Sequence, residues 1–451
     1  RDPEMSRGLG DVYKRQDKNL ADSEEMLGLL TGSGHEIVDS EEEAEAIVIN
    51  TCCFIHDAKE ESVNTILEMA EYKKTGKCKA LVVTGCMAQR YKEEITQEIP
   101  EVDAVLGTTS YGDIVKALNE VQAGHVFQEF RDINELPEDS GRRVLTTGGH
   151  FGYLKIAEGC DKHCTYCIIP SLRGSFRSVP EERLLAQAEY MASQGVKELI
   201  LVAQETTVYG TDLYGRKTLH ILLKKLCQIR GIRWIRVLYC YPEEIYDELI
   251  QVMKEEKKIC NYLDLPIQHA SDRILKRMGR RTTRKQLTDI ITKLRREIPD
   301  IVLRTSLITG FPGETQEDHE ELMEFVDEME FDRLGVFTYS PEEGTPAESM
   351  EGQVPEEVKE ERRDEIMSLQ QEISLEKGSE RIGQELLVMI EGKVSGESAY
   401  IGRTYADAPK VDGYLFVQTG ELLVTGDFAR VCVTGALEYD LIGELADEYT
   451  E

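Results

Sequence analysis

Three cysteines, Cys160, Cys164 and Cys167, crowd into eight residues with the spacing C-x3-C-x2-C. Thiolates this close can hold three corners of a cubane iron–sulfur cluster and leave the fourth iron open, and an open position on a redox metal is a place for chemistry. Two other readings stay open. Zinc favours four protein donors in a structural site and would need His163 or a distant group as the fourth. The plainest alternative is three unrelated buried thiols. A second group, Cys52, Cys53 and Cys86, lies toward the N-terminus, each beside an apolar run. Cys78, Cys227, Cys240, Cys260 and Cys432 are scattered and read as small buried hydrophobes. Eleven cysteines, an odd number, in a long chain with no charged-then-apolar leader argue against a disulfide framework. The expectation is a reducing, cytoplasmic setting.

The surrounding pattern says what must position these thiols. Arg1–Gln16 shows no periodicity and reads as an atypical, non-native segment; regularity starts near residue 19. Ala46–Asn50, Ala80–Thr84 and Val102–Leu106 read as buried strands, with helices over Glu60–Tyr72 and Tyr111–Leu118. That is a parallel α/β unit spanning 17–128. Cys52 and Cys86 fall just past strand C-termini, the ends that face ligands in open α/β sheets. Glu129–Gly149 is polar and reads as a linker. Six strand candidates follow, at Tyr153–Ala157, Glu198–Ala203, Trp234–Tyr239, Tyr262–Leu265, Val302–Ile308 and Leu334–Tyr339, with helical segments between them. Six β/α units are too few for the closed eight, so an open (β/α)6 barrel over 150–379 is expected. The C-x3-C-x2-C loop follows its first strand, at the end where such barrels keep reactive groups. Val354–Gly378 reads as one long surface helix. From 380 to 451 short strands and glycine turns predict a small antiparallel β-barrel.

Composition narrows the partners. The chain has 451 residues, 53 Lys+Arg against 85 Asp+Glu, and a net charge of −32. A generally basic nucleic-acid binder is excluded, although a local basic patch is not. No apolar run approaches the roughly 18 residues of a membrane span.

The cysteine loop, followed by Ile168-Ile169-Pro170 and Arg173-Gly174, resembles the radical S-adenosylmethionine superfamily. Within it the chain resembles the methylthiotransferases over nearly its whole length. Asn50-Thr51-Cys52 and Thr84-Gly85-Cys86 match that family's N-terminal domain. Gln204–Thr207, Pro266–Ser271, Arg304-Thr305, Gly310–Thr315 and Tyr339–Thr345 match its barrel, and the C-terminal barrel resembles a TRAM domain. The resemblance implies two 4Fe–4S clusters and S-adenosylmethionine, the latter bound at the open iron of the Cys160, Cys164, Cys167 cluster and cleaved to a 5′-deoxyadenosyl radical. A second cluster on Cys52 and Cys86 would supply or relay sulfur, and a second S-adenosylmethionine the methyl group. Tyr166 is then either a neighbour of the adenine or an ordinary packed aromatic. Gln204, Gln268 and Arg304, at or near strand C-termini, either meet the cofactor's polar groups or bond structurally in the barrel mouth. Gly310–Gly313 permits close approach to the cofactor or is a plain turn. His269 transfers a proton or only hydrogen-bonds.

One position departs from the family pattern. Gln16 stands where the third auxiliary-cluster cysteine is expected, and the strand before it is missing. Only Cys52 and Cys86 carry over; Cys53 reads as a buried neighbour. The intact N-terminal cluster is therefore in doubt on this sequence.

The family divides between a tRNA adenosine and an aspartate of small-subunit ribosomal protein S-twelve. Lys18–Glu24 and Val202–Gly210 resemble the protein-modifying branch. Charge supports it independently. Residues 381–451 carry 5 Lys+Arg and 13 Asp+Glu, a net of −8, whereas phosphate contacts need the opposite sign. The expected partners are ribosomal protein S-twelve, free or in the small subunit, and an electron donor such as flavodoxin or ferredoxin, with no membrane; tRNA is the less favoured substrate. Lys276–Lys285, with six positive charges, either touches RNA or is a solvated helix end. A non-catalytic iron–sulfur or zinc module that binds a partner is the reading from another class.

Overall fold

The computed structural model describes residues 17–138, 141 and 143–446. The atypical segment 1–16, Gln16 included, lies outside the described residues.

The N-terminal unit runs α1 (Asp17–Gly32), β1 (Ala46–Thr51), α2 (His56–Thr75), β2 (Ala80–Gly85), α3 (Cys86–Tyr91), α4 (Glu93–Glu98), β3 (Ala104–Leu106), α5 (Ile114–Gln122) and β4 (Phe127–Glu129). Its four strands pair in parallel in the order β1-β2-β3-β4. The strands are apolar throughout because helices cover both faces. Ile47, Ile49, Leu81 and Val83 pack toward Ile66 and Met69 of α2. Val48, Val82 and Leu106 pack toward Met26 and Leu30 of α1 and Ile114 of α5. Strand β4, three residues long, was not among the three expected strands and reaches into the segment read as linker.

The central unit contains β5 (Phe151–Lys155), β6 (Ala157–Glu158), α6 (Ile169–Arg173), β7 (Arg177–Ser178), α7 (Glu181–Ser193), β8 (Glu198–Val202), α8 (Thr211–Tyr214), α9 (Leu219–Leu226), β9 (Trp234–Val237), α10 (Asp247–Glu255), β10 (Ile259–Asp264), α11 (Asp272–Arg277), α12 (Arg284–Glu297), β11 (Val302–Thr309), α13 (Gln316–Met329), β12 (Arg333–Thr338) and α14 (Glu356–Ser379). Strands β5, β8, β9, β10, β11 and β12 form one parallel six-stranded sheet in chain order, an open β/α barrel. Leu199, Leu201, Ile235, Val237, Leu263 and Leu303 face the helices, against Leu184, Leu222, Leu249 and Phe325. Phe151, Tyr153, Ile200, Trp234, Tyr262 and Val302 face inward, where they meet Leu20 of α1 and Met389, Ala406 and Phe428 from the C-terminal unit. Helix α14 buries Lys359, Arg362, Ile366, Gln370 and Ile373 at three- and four-residue spacing, one stripe of a helix laid along the last strands.

The C-terminal unit is a closed five-stranded barrel of β13 (Glu385–Lys393), β14 (Ala399–Arg403), β15 (Leu415–Gln418), β16 (Phe428–Ala436) and β17 (Leu441–Leu445), in the order β13-β14-β15-β17-β16. The expectation of an antiparallel barrel needs one correction: β15 and β17 pair in parallel. Strand directions cannot alternate all the way round a ring of five, so one neighbouring pair must run the same way.

This unit seals the N-terminal end of the open barrel. Glu198, at the start of β8, accepts from Arg236 (2.8 Å) and from Arg403 of β14 (2.7 Å), and all three side chains are fully buried. Arg403 also donates to Glu391 (2.6 Å), which meets His150 (2.8 Å). The Tyr262 hydroxyl donates to Asp412 (2.7 Å) in the loop after β14.

Candidate active site

The opposite end of the barrel holds the three-cysteine loop. Gly159 enters it at φ +79°, and a Cβ there would stand 2.1 Å from the Ser175 carbonyl oxygen, so only glycine fits. The Cys160 N–H donates to the Gly174 carbonyl (3.1 Å). Thr165 binds the turn after α11 twice, its N–H to the Met278 carbonyl (2.9 Å) and its hydroxyl to the Arg277 carbonyl (2.8 Å). The Ala347 N–H donates to the Thr165 carbonyl (2.9 Å). Three backbone hydrogen bonds and one from the Thr165 hydroxyl thus fix the loop from three directions.

Burial raises the Cys160 thiol to about 11 and the Cys167 thiol to about 12, and each feels the charge of Cys164 as well. Such groups stay protonated at neutral pH until a cation replaces the proton, as metal ligands do. Among the described residues no three His, Cys, Asp or Glu side chains converge on one metal-sized point. A cubane takes each thiolate at a different iron, and three thiols along one tethered loop are a donor set for that arrangement. The site residues therefore fit a cluster better than a single zinc ion.

A polar ring surrounds the loop. The Cys164 sulfur lies 3.6 Å from the Tyr241 hydroxyl. Arg280 stacks over the Tyr241 ring at 4.2 Å and donates to the Pro266 carbonyl (3.1 Å). Lys162 pairs with Glu244 and lies 3.8 Å from Glu205. Burial pushes Glu205 up to about 7, only partly opposed by Thr207 and Lys162. Its Oε2 has no hydrogen-bond partner among the described residues, nor have Gln204 Oε1 and Arg280 Nε.

The second cysteine group meets the first through α6. Cys52 and Cys86, past β1 and at the end of β2, are both buried, and burial, reinforced by the neighbouring Cys86, raises Cys52 to about 11. Cys53 is buried beside them, and burial together with the charges of Cys86 and Cys52 raises its thiol above the ordinary value. Leu172 of α6 packs with Cys53 and Cys86, and burial, which would lower the pKa of Arg173 beside it, is outweighed by the charges of Cys86, Glu158 and Asp22. Arg173 also contacts Asp22 (3.1 Å), Glu158 (3.2 Å) and the Asn19 side-chain oxygen (2.8 Å). Lys155 joins this network through Asp22 and Glu158. One buried charge cluster therefore ties α1, the barrel and both cysteine groups together.

Other sequence-singled residues fall as follows. Tyr166 packs edge-on to Phe311, ring centroids 6.3 Å apart, in the small cluster with Ile274, Met278 and Tyr339. Gln204 donates to Glu158 (2.8 Å). Gln268 has φ +71° and bridges β11, its N–H donating to Ser306 and its carbonyl accepting from Ile308. Arg304 lies near the start of β11 rather than at its C-terminal end; the strand stagger still brings its guanidinium to Asp264 (2.8 Å) and to Asp412 (3.4 Å). The close approach at Gly310 is to Lys359 of α14, whose Cγ would lie 2.1 Å from an added Cβ. His269 accepts at Nδ1 from the Ser271 N–H (3.0 Å) and points Nε2 toward Glu314 (3.6 Å). Glu314 in turn pairs with Arg362 of α14 (2.8 Å), so this motif is braced by the closing helix. In the basic stretch, Arg277 donates to the Pro312 carbonyl, Arg280 is buried, and Arg284 pairs with Glu321, Glu324 and Glu328. Sequence reasoning gave no role to Lys18, Glu158, Arg173 or Tyr241. Lys18 and Arg173 stood inside matched motifs; Glu158 was marked only by its place before Gly159-Cys160.

Comparison with known proteins follows these three units. Residues 154–326 match the Radical SAM superfamily, 17–107 the Uncharacterized protein family UPF0004, and 382–446 the TRAM domain. The chain is 63% identical over 427 residues to "Ribosomal protein uS12 methylthiotransferase RimO" of Lachnoclostridium phytofermentans, covering 95% of this chain and 97% of the relative. Relatives of the same name from Pelotomaculum thermopropionicum and Acetivibrio thermocellus are 51% and 49% identical, covering 95% and 98% of this chain and 96% and 99% of theirs. Among solved structures, the radical S-adenosylmethionine methyltransferase TsrM from Kitasatospora setae, with cobalamin and a 4Fe–4S cluster bound, has a TM-score of 0.54 at 13% identity over 76% of each chain. At that identity it speaks for the fold alone.

Proposed function

The chain belongs to the RimO-type methylthiotransferase family of the radical S-adenosylmethionine superfamily, and from that premise we propose that it places a methylthio group on the β-carbon of an aspartate in ribosomal protein uS12. The observation that carries this reading is the tethered thiol loop at the open barrel end, with a second buried cysteine group packed against α6, the helix that follows the loop. Cys160, Cys164 and Cys167 would hold the first 4Fe–4S cluster, and Cys52 and Cys86 contribute to the second. Bound together, the clusters and S-adenosylmethionine supply hydrogen abstraction by a carbon radical, a sulfur atom and a methyl group.

The chain's own residues do the rest. The buried network of Asp22, Lys155, Glu158 and Arg173 holds α1 over the barrel mouth and excludes water from it. Gln204 Oε1 and Glu205 Oε2, buried and without a hydrogen bond among the described residues, are acceptors left for cofactor N–H or O–H groups. Tyr166, Gln268 and Gly310 shape the same mouth, while Arg304 pairs with Asp264 and Asp412 deeper in the barrel. The acidic C-terminal barrel, net −8 over 381–451, favours a cationic protein over tRNA. We place the enzyme in the cytoplasm, with a flavodoxin or ferredoxin as its reductant. Its working divisions are 17–128, 129–149, 150–379 and 380–451. Among the described residues no helix is long and apolar enough to cross a membrane.

The test is an anaerobic assay with reductant, S-adenosylmethionine and either purified uS12 or tRNA. The expected outcome is a methylthio mass on uS12, with 5′-deoxyadenosine formed by the parent and abolished in Cys164→Ala. Modification of tRNA and not uS12 would overturn the substrate.

A further inference from the structure

We propose that Lys18 is the receptor for the carboxylate of the target aspartate, and so sets specificity for an acidic side chain. The inference rests on the aspartate reading above. Lys18 lies in the first turn of α1 and is 7% exposed. Its ammonium stands 3.5 Å from the centre of the Tyr239 ring, just past the C-terminal end of β9. Tyr239 itself is held at φ +60°, a conformation a tyrosine adopts only when its surroundings enforce it.

Among the described residues, the Lys18 side chain makes no ion pair within 4.0 Å and no hydrogen bond. The acids around it are committed elsewhere. Asp17 accepts from the Tyr239 hydroxyl (3.4 Å). Glu158 is held by Lys155, Arg173 and Gln204. Asp264 is held by Arg304. A buried cation without an anion is unfavourable, so Lys18 retains a valence that the described chain does not fill.

Its location says which anion fills it. Its neighbour Asn19 donates to the carbonyl of Thr51, the residue before Cys52 (3.4 Å), and accepts from Arg173 of α6, the helix that follows Cys167 (2.8 Å), so an anion beside Lys18 sits at the junction of the two cysteine groups. Hydrogen abstraction and sulfur delivery have to meet at one carbon there. A carboxylate held by Lys18 fixes the β-carbon one bond away. An adenine base offers no such anion.

Equilibrium binding, without turnover, tests this. Purified uS12 and its target-Asp→Asn variant are titrated onto the iron-loaded protein as wild type, Lys18→Met and Lys18→Arg. Wild type should prefer the aspartate form by about 10- to 100-fold, the range of a charge-assisted hydrogen bond. Lys18→Met should bind both forms equally, with the asparagine form bound as by wild type, which also reports an intact fold. Lys18→Arg should keep most of the preference. A preference that survives in Lys18→Met overturns the inference. So does a Lys18→Met protein that keeps it while losing affinity for S-adenosylmethionine in equilibrium dialysis, which would assign Lys18 to the cofactor's carboxylate. A wild type that does not distinguish the two forms, or does not bind uS12, defeats the aspartate reading before any variant is compared, and this inference with it.

Discussion

The two ends of the open barrel carry charge in opposite ways. At the N-terminal end, Glu198 uses both oxygens on Arg236 and Arg403, and Arg403 and His150 converge on Glu391. At the C-terminal end, Gln204, Glu205 and Arg280 each leave a buried polar atom without a hydrogen bond among the described residues, and the buried Lys18 lies over the Tyr239 ring. Positive φ at non-glycine residues occurs at both ends, at His163, Tyr239 and Gln268 by the site and at Glu330 before β12 and Lys410 in the loop after β14. The paired carboxylates of the N-terminal end serve cohesion, whereas the unbonded acceptors Gln204 Oε1 and Glu205 Oε2 stand where ligands can complete them.

That contrast can be attacked from its strongest side first. Glu198→Ala leaves the buried Arg236 without a carboxylate and Arg403 with Glu391 alone, and should cost about 3–5 kcal/mol. Denaturant unfolding should show the loss, with 5′-deoxyadenosine formed per folded molecule unchanged; a loss of chemistry at full stability would contradict the division. Next in size is a pH effect. Burial alone would raise Glu391, but Arg403 and His150 hold it down to about 2. Its stabilisation is thus fully present above the ordinary carboxylate value near 4.5 and is lost as pH falls through about 2, on the order of 2 kcal/mol in all. Glu391→Gln should flatten the pH dependence of the thermal midpoint over that window. Gly310→Ala should cost about 1–3 kcal/mol, since its φ is +69° and Lys359 occupies the added volume. Lys359→Ala should recover part of that loss in a double-mutant cycle. Smallest of all, Gln204→Leu at the open end should shift stability by less than about 1 kcal/mol while weakening S-adenosylmethionine binding in equilibrium dialysis.

Much of this was legible in the chain itself. Parallel strands covered on both faces read as unbroken apolar runs, so Glu198–Val202 and Ala80–Gly85 stood out. The thiol loop was legible because its chemistry is local. What escaped was set by distance. Helix α1 buries Lys18, Asn19, Asp22, Ser23, Glu24 and Glu25, a composition that reads as solvent-facing. Its partners come from far along the chain: Arg143 reaches Glu24 across 119 residues and Arg173 reaches Asn19 across 154. Periodicity carries no sign of such pairs. Strand β4 is only three residues, below the length at which alternation is readable, and the parallel β15–β17 pair follows from ring closure rather than any local pattern. Arg304 was placed at the wrong end of its strand, because its partners Asp264 and Asp412 lie on other elements.

The ion pair between Glu198 and Arg403 also has a meaning in time. The two residues are 205 apart in sequence, and translation proceeds at roughly 5–20 residues per second. Glu198 therefore exists for about 10–40 seconds before its partner is made. Through that interval the inward face of the barrel, with Phe151, Trp234 and Tyr262, lacks the cover that Met389, Ala406 and Phe428 later give it. The nascent chain carries an unfinished, sticky half-barrel until almost its last tenth has left the ribosome, and its yield in the cell should depend on the chaperones that wait there.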